Sequence, residues 1–292
     1  MKTGIIDVGG GMRGIYAAGV LDCLMEDGIT FDVGIGVSAG SANIASFIAG
    51  QHKRNHAFYT EYSLRDEYMS RANIRSKGCF LDVKYIYGTL SNTGGENPFD
   101  FPAFCANPME FICVGADVNT GAAKYFGKGD MRLNYYNTLM ASSAEPYMCT
   151  PQEVNGSLYY DGDVADPVPL AKALAEGCDK VILILNEPET VRHDPAEDAH
   201  LASRIRDQYP RAADTLLSRA EKYNAGVDLA RKLAGEGKVL IIAPDDLCGV
   251  GTLCRDREAM QRLYERGLRD GARTTAFLGG RPEPGEMGAL PH

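Results

Sequence analysis

The 292-residue chain has no tryptophan and only five histidines, so an imidazole base or ligand has few places from which to come. Long apolar runs are missing too. No window approaches the roughly 18 uninterrupted apolar residues of a spanning helix, and the N-terminus lacks the basic, apolar, small-residue order of a signal peptide. The expectation is a cytoplasmic protein. Positive charge is in deficit: 30 Lys and Arg against 39 Asp and Glu give a formal net charge of -9. That balance argues against nucleic acid as a partner and against adhesion to anionic membranes by bulk charge. The eight cysteines form no C-x-x-C pair and have no histidine at metal-ligand spacing, so they are expected to be reduced and mostly packed. Cys23 falls in an apolar helical stripe and Cys113 in an apolar strand, where a thiol acts as a small hydrophobe. Neither a metal nor an organic cofactor is expected.

What is present is an ordinary globular composition, 45% hydrophobic and 24% charged, with 33 glycines. Thr3 to Val8 reads as a short strand, Arg13 to Asp27 as a helix stopped at Gly28, Phe31 to Ser38 as a second strand, and "AGSANIASFIAG" as a helix. That order points to an α/β fold with a mainly parallel sheet and buried strands. Further strands are expected at Glu110 to Val118, in "NTGAAKYF", in the run ending at Asp161 after the Asn155-Gly156 hairpin signal, and in the apolar runs from Lys180 and Lys238. "NTLMASSAEP" reads as a short helix stopped by Pro146. Asp194 to Ala234 reads as two helices interrupted near Pro210, and Arg255 to Gly271 as a last helix. One domain over 1–278 is the economical reading, with a polar, tyrosine-rich region near 52–108 as a cap and 279–292 as a loose tail.

Three blocks carry chemistry. "GGGMRG", Gly9 to Gly14, follows a strand and opens a helix, and Gly9, Gly11 and Gly14 satisfy the spacing of a dinucleotide-binding loop. The acid that such a loop needs about 20 residues on is missing, because the end of the second strand holds "GVSAG" instead. This second block, Gly36 to Gly40, fits G-x-S-x-G at a strand-to-helix turn, which lifts Ser38 Oγ out of the sheet. A serine hydroxyl needs a base. His193 and His200 are the only internal histidines downstream, and their acidic, proline-containing segment reads as a solvated helix entrance; His52 and His56 read as a surface pair. The third block is "DGD", Asp161 to Asp163, at the end of a short strand. A carboxylate at hydrogen-bond distance can take the Ser38 proton if partly desolvated.

Together, in this order, the three blocks resemble those of the patatin-like phospholipases. "ASSAEP", Ala141 to Pro146, is similar to the stretch that precedes the family's aspartate block, and the resemblance spans roughly residues 3 to 185. It implies a three-layer α/β/α fold and hydrolysis of lipid acyl esters without histidine. Carried over, Ser38 would be the nucleophile and Asp161 its base, with the backbone N–H groups of Gly10, Gly11 and Met12 as the oxyanion hole and Arg13 fixing that loop. Gly9, Gly14, Gly36, Gly40, Gly162 and Asp163 complete the motifs. Asp163 departs from the family's usual Gly or Ala; it would raise the proton affinity of Asp161 if both were buried, or point into solvent. The implied partner is a phospholipid or other acyl ester, met through transient contact with a membrane surface. A catalytically silent lipid-binding protein and an acyltransferase stay open as alternatives, as does the oligomeric state.

For other residues the bland roles are expected. Asp7 and Asp166 read as loop-capping acids, Asp117 as a strand-end turn residue, Asp245 and Asp246 as helix-capping acids, and the tyrosines from Tyr59 to Tyr87 as packing beneath a cap or the lining of an acyl pocket.

Overall fold

In the computed structural model, residues 1–279 are described. Eight strands form one sheet: β1 (Thr3–Asp7), β2 (Val33–Val37), β3 (Glu110–Asp117), β4 (Ala123–Phe126), β5 (Gln152–Val154), β6 (Ser157–Asp161), β7 (Lys180–Ile184) and β8 (Val239–Ile242). Their order is β5-β6-β3-β2-β1-β7-β8, with β4 paired to β3. From β3 through β8 the neighbours on this path are parallel, while β4, β5 and β6 are antiparallel additions. The apolar runs at Thr3 and Lys180 thus lie side by side inside the sheet with the Lys238 run next to them at its edge, and burial of these strands removes any need for polar alternation.

Helices cover both faces and make three layers. α1 (Ile15–Glu26) and α2 (Ala39–Ile48) pack on one face with α3 (Arg54–Thr60), α5 (Phe101–Ala106) and α6 (Asn137–Ser142) around them, and the mostly exposed α4 (Arg71–Lys77) lies between α3 and α5 in sequence. α7 (Leu170–Ala175) lies on the other face. The segment expected to hold two helices holds three after a short 3₁₀ turn at Pro195–Asp198: α8 (Ala199–Ile205), α9 (Pro210–Leu216) and α10 (Arg219–Gly235). Pro210 starts a helix, as its missing N–H allows. A second break, at Leu217 and Ser218, carries no proline or glycine and so left no signal. α11 (Arg257–Gly271) returns to the face of α1, capped by the Asp256 carboxylate on the Ala259 N–H, and α12 (Arg273–Leu278) follows it. Ile5 and Ile6 divide the two cores between them, one on each face of β1. From residue 280 onward the expected tail lies outside the described residues. No helix among the described residues is long and apolar enough to cross a membrane.

One detail of register positions the site. Val114 of β3 has Val37 as one neighbour and Tyr125 of β4 as the other, while Gly115 has Lys124 of β4 and Asp161 of β6. Because β4 occupies one edge of β3, β2 and β6 share the opposite edge and meet there end to end. Val37 and Asp161 therefore stand at consecutive rows, although 124 residues separate them in sequence.

Candidate active site

Ser38 stands between β2 and α2 with φ 55 and ψ -133, a conformation that a residue with a side chain rarely adopts. Its surroundings enforce the strain. The Ser38 N–H donates to Ser142 Oγ at 3.0 Å, and the Ser38 carbonyl accepts the Ser41 N–H at 3.0 Å. A Cβ at Gly36 would stand 2.3 Å from Ser41 Cα, and one at Gly40 2.3 Å from the Asp7 carbonyl oxygen, so this turn closes only with glycine at both places. The result is a half-exposed hydroxyl whose Oγ donates to Asp161 Oδ2 at 2.7 Å.

Asp161 is almost wholly buried, and its second oxygen accepts the Asp163 N–H at 3.1 Å. Burial, then the charges of Asp163 and Glu145, push its carboxyl well above the usual range, against the opposing hydrogen bonds from Ser38 and the Asp163 N–H. Asp163 does not simply face solvent. Its Oδ2 accepts from Arg219 Nη1 at 2.9 Å, while its Oδ1 is buried without a partner among the described residues. The same Nη1 reaches Glu145 at 3.1 and 3.3 Å, and the other side of the guanidinium forks onto Asp198 at 3.0 and 2.5 Å. Burial and Asp163 raise Glu145 to about 7 in spite of Arg219. Glu145, Asp161 and Asp163 bring oxygens within 4.8 Å of one another, a spacing that would suit a cation, and the arginine supplies positive charge to two of the three.

Across the cavity, the glycine loop hangs on Asp7. This fully buried carboxylate accepts the Gly9 N–H at 2.9 Å, Asn186 Nδ2 at 2.7 Å and Asn43 Nδ2 at 2.8 Å, and burial outweighs these bonds to lift it to about 6. Asn186 Nδ2 also donates to the Gly9 carbonyl at 2.8 Å. Gly9, Gly10 and Gly11 all have positive φ, 73, 121 and 60, and a Cβ at Gly9 would lie 2.2 Å from the Val37 carbonyl oxygen. The loop corrects one expectation: the Met12 N–H donates to the Thr252 carbonyl at 3.0 Å and is not free to receive an oxyanion. The N–H groups of Gly10 and Gly11 have no partner among the described residues. Arg13 does brace the loop, with Nε on the Gly10 carbonyl at 3.3 Å and Nη1 on Glu187 at 2.5 Å. Burial tends to raise Glu187, but the His193 hydrogen bond and the Arg13 charge win and hold it at about 2.

The segment of His193 is the expected exposed helix entrance, with Asp194 capping the Pro195–Asp198 turn, but the His193 side chain itself is half-buried. It lines the cavity, stacked on Tyr223 at 3.9 Å with Nε2 on Glu187 at 2.5 Å, and makes no bond to Ser38. The other histidines among the described residues are engaged away from the dyad: His200 with Tyr147, His52 with Glu26, His56 with Gln261 and Tyr264. Asp117 caps the N–H groups of Asn119 and Thr120, Asp166 accepts from Tyr125, and Asp246 pairs with Arg266. All eight cysteines are free.

The cavity between the two sides measures about 610 Å³. Phe58, Tyr68, Leu81, Val83, Ile86 and Tyr87, from the segment expected to be a cap, line its apolar wall. The sequence model described as patatin-like phospholipase matches residues 8–174, more than half of the chain. The chain belongs to the patatin-like phospholipase family. A second model, described only as a domain of unknown function (DUF6363), matches residues 209–278. Among similar proteins, the uncharacterised protein YjjU of Escherichia coli is 25% identical over 66% of this chain and 54% of its own length. An uncharacterised NTE family protein of Mycobacterium bovis is 29% identical over 65% of this chain and 50% of its own length. Lysophospholipase NTE1 of Saccharomyces cerevisiae is 23% identical over 62% of this chain and 10% of its own length. The chain thus spans about half the length of the bacterial relatives it matches. In structure it aligns with VipD from Legionella pneumophila at a TM-score of 0.49 and 13% identity, over 93% of this chain and 66% of that one. Ser38, Asp161 and the glycine loop all fall inside the patatin-matched residues, whereas Arg219 and Thr252, which sequence reasoning missed, fall in the C-terminal match.

Proposed function

We propose that the protein is a serine acyl hydrolase that cleaves acyl esters of phospholipids or lysophospholipids through Ser38 and Asp161, without a metal or organic cofactor. The observation that carries this reading is the 2.7 Å bond from Ser38 Oγ to a buried carboxylate at the edge of a cavity with an apolar wall. Ser38 Oγ attacks the ester carbonyl as Asp161 takes its proton, and the oxyanion meets the unpaired N–H groups of Gly10 and Gly11. As the acyl–oxygen bond breaks, the proton passes from Asp161 to the departing alcohol or lysolipid. Asp161 next removes a proton from water, whose oxygen attacks the acyl-enzyme, and returns it to Ser38 when the fatty acid leaves. The raised proton affinity of Asp161 suits a base that must hold a proton for part of the cycle. The acyl chain would lie along Tyr68, Leu81, Ile86 and Tyr87.

Hydrolysis of a panel of short and long acyl esters tests the reading. Ser38→Ala and Asp161→Asn should each lower kcat/KM by about 10⁴-fold or more while circular dichroism stays that of the wild type. A fluorophosphonate probe should label Ser38 in the folded wild type and fail in Ser38→Ala. Wild-type protein that resists labelling and hydrolyses no ester would instead favour a lipid-binding protein on the same scaffold.

A further inference from the structure

We propose that Arg219 is a positioning residue for this reaction: from the first turn of α10 it balances the carboxylates packed around Asp161, so that the base stays available to Ser38. The inference rests on the Ser38–Asp161 reading and extends it to a segment that the patatin match does not reach. Arg219 is mostly buried, at 15% side-chain exposure, and all three of its nitrogens are engaged by carboxylates: Nε and Nη2 by Asp198, and Nη1 by both Asp163 and Glu145. Such a fork fixes the guanidinium on Asp198 and leaves one nitrogen to hold the two acids that act on Asp161.

The charges facing Asp161 are few. Asp163 follows it in the same turn, Glu145 comes from the segment after α6, and Arg219 with Asp198 stands behind both. Tyr68 and Tyr87 from the 52–108 region, Cys113 of β3 and Cys149 also feel its charge, and burial keeps these four neutral. Among the described residues Arg219 is thus the cation of the cluster. With a glycine or alanine at 163 there would be one acid fewer to balance, and the arginine bond to Asp163 answers the departure of this chain from its family's motif. Removing the arginine leaves Asp163 and Glu145 uncompensated beside the base. Like charge at this range favours the protonated acid, which cannot accept the Ser38 proton.

The test is the pH dependence of kcat/KM for a soluble acyl ester. Arg219→Met should move the acidic limb upward by about one pH unit or more, with activity recovered at higher pH. Arg219→Lys, which keeps the charge but loses the fork, should move it less. Asp163→Asn alone should move the limb downward, and combined with Arg219→Met it should cancel much of the upward shift. Should Arg219→Met fail to fold, Arg219→Lys and Asp163→Asn carry the same comparison. Loss of activity that is uniform across pH, or a limb that stays in place in these variants, would overturn the proposal. Failure of the underlying reading looks different: the wild type would then hydrolyse no ester, or Asp161→Asn would keep its activity.

Discussion

The two sides of the cavity are held by different physics. On the loop side, Asp7 lies at the centre of neutral amides, taking hydrogen bonds from Asn43, Asn186 and the Gly9 backbone, and the loop is shaped by glycines that fit where a Cβ would strike a carbonyl. On the base side, three carboxylates gather about one guanidinium beside Asp161, and the charge state of one acid depends on that of the next. In the reaction proposed above the loop meets an oxyanion and Asp161 a proton; a group that stabilises an oxyanion must be in place before the charge forms, so geometry is what matters there. A group that accepts and returns a proton must have a tuned affinity, so charge is what matters here. Changes on the loop side should lower turnover equally at every pH, whereas changes on the base side should move the pH profile.

The largest departure is expected from Gly9→Ala. Its Cβ would meet the Val37 carbonyl oxygen at 2.2 Å, on a backbone with φ 73, so the loop must shift. Turnover should fall by about 10²-fold, the usual loss for a misplaced oxyanion donor, with KM little changed and no shift in the pH profile. Arg13→Met should act in the same manner but less, by about tenfold in kcat, because Asp7 and Asn186 still hold Gly9. A KM effect as large as the kcat effect would show that Arg13 binds substrate rather than shaping the loop. The smallest effect is expected from Glu145→Gln. Removing an acid beside Asp161 favours the ionised base, so the acidic limb of kcat/KM should move down by about half a unit while the plateau stays. An upward shift, or a lowered plateau with no shift, would erase the distinction between the two sides.

Much of the loop side was legible because its requirements are local. Ser38 sits between a strand and a helix within five residues, and three adjacent glycines announce a chain that needs positive φ. The sheet was legible for the same reason, its parallel strands β1, β7 and β8 each being a short apolar run. The pins on the loop were not. Asn186 and Thr252 lie about 175 and 240 residues from it, and neither residue type in its local context points to a distant partner. The assignment of Met12 as an oxyanion donor failed on that account, since only the fold reveals that its N–H is spent on Thr252. Arg219 was equally silent at the head of a long polar helix, although the unusual Asp163 was a signal that some cation had to answer it.

The Thr252 carbonyl has a further consequence for how the protein is made. Ribosomes deliver the chain from the N-terminus, so the glycine loop and Ser38 emerge some two hundred residues before the carbonyl that fixes Met12. Until that late stretch has been released, the loop lacks one of its anchors, and the nascent chain lacks the Arg219 counter-ion as well. The loop and the carboxylate cluster therefore gain these supports only once residues 219 to 252 have emerged.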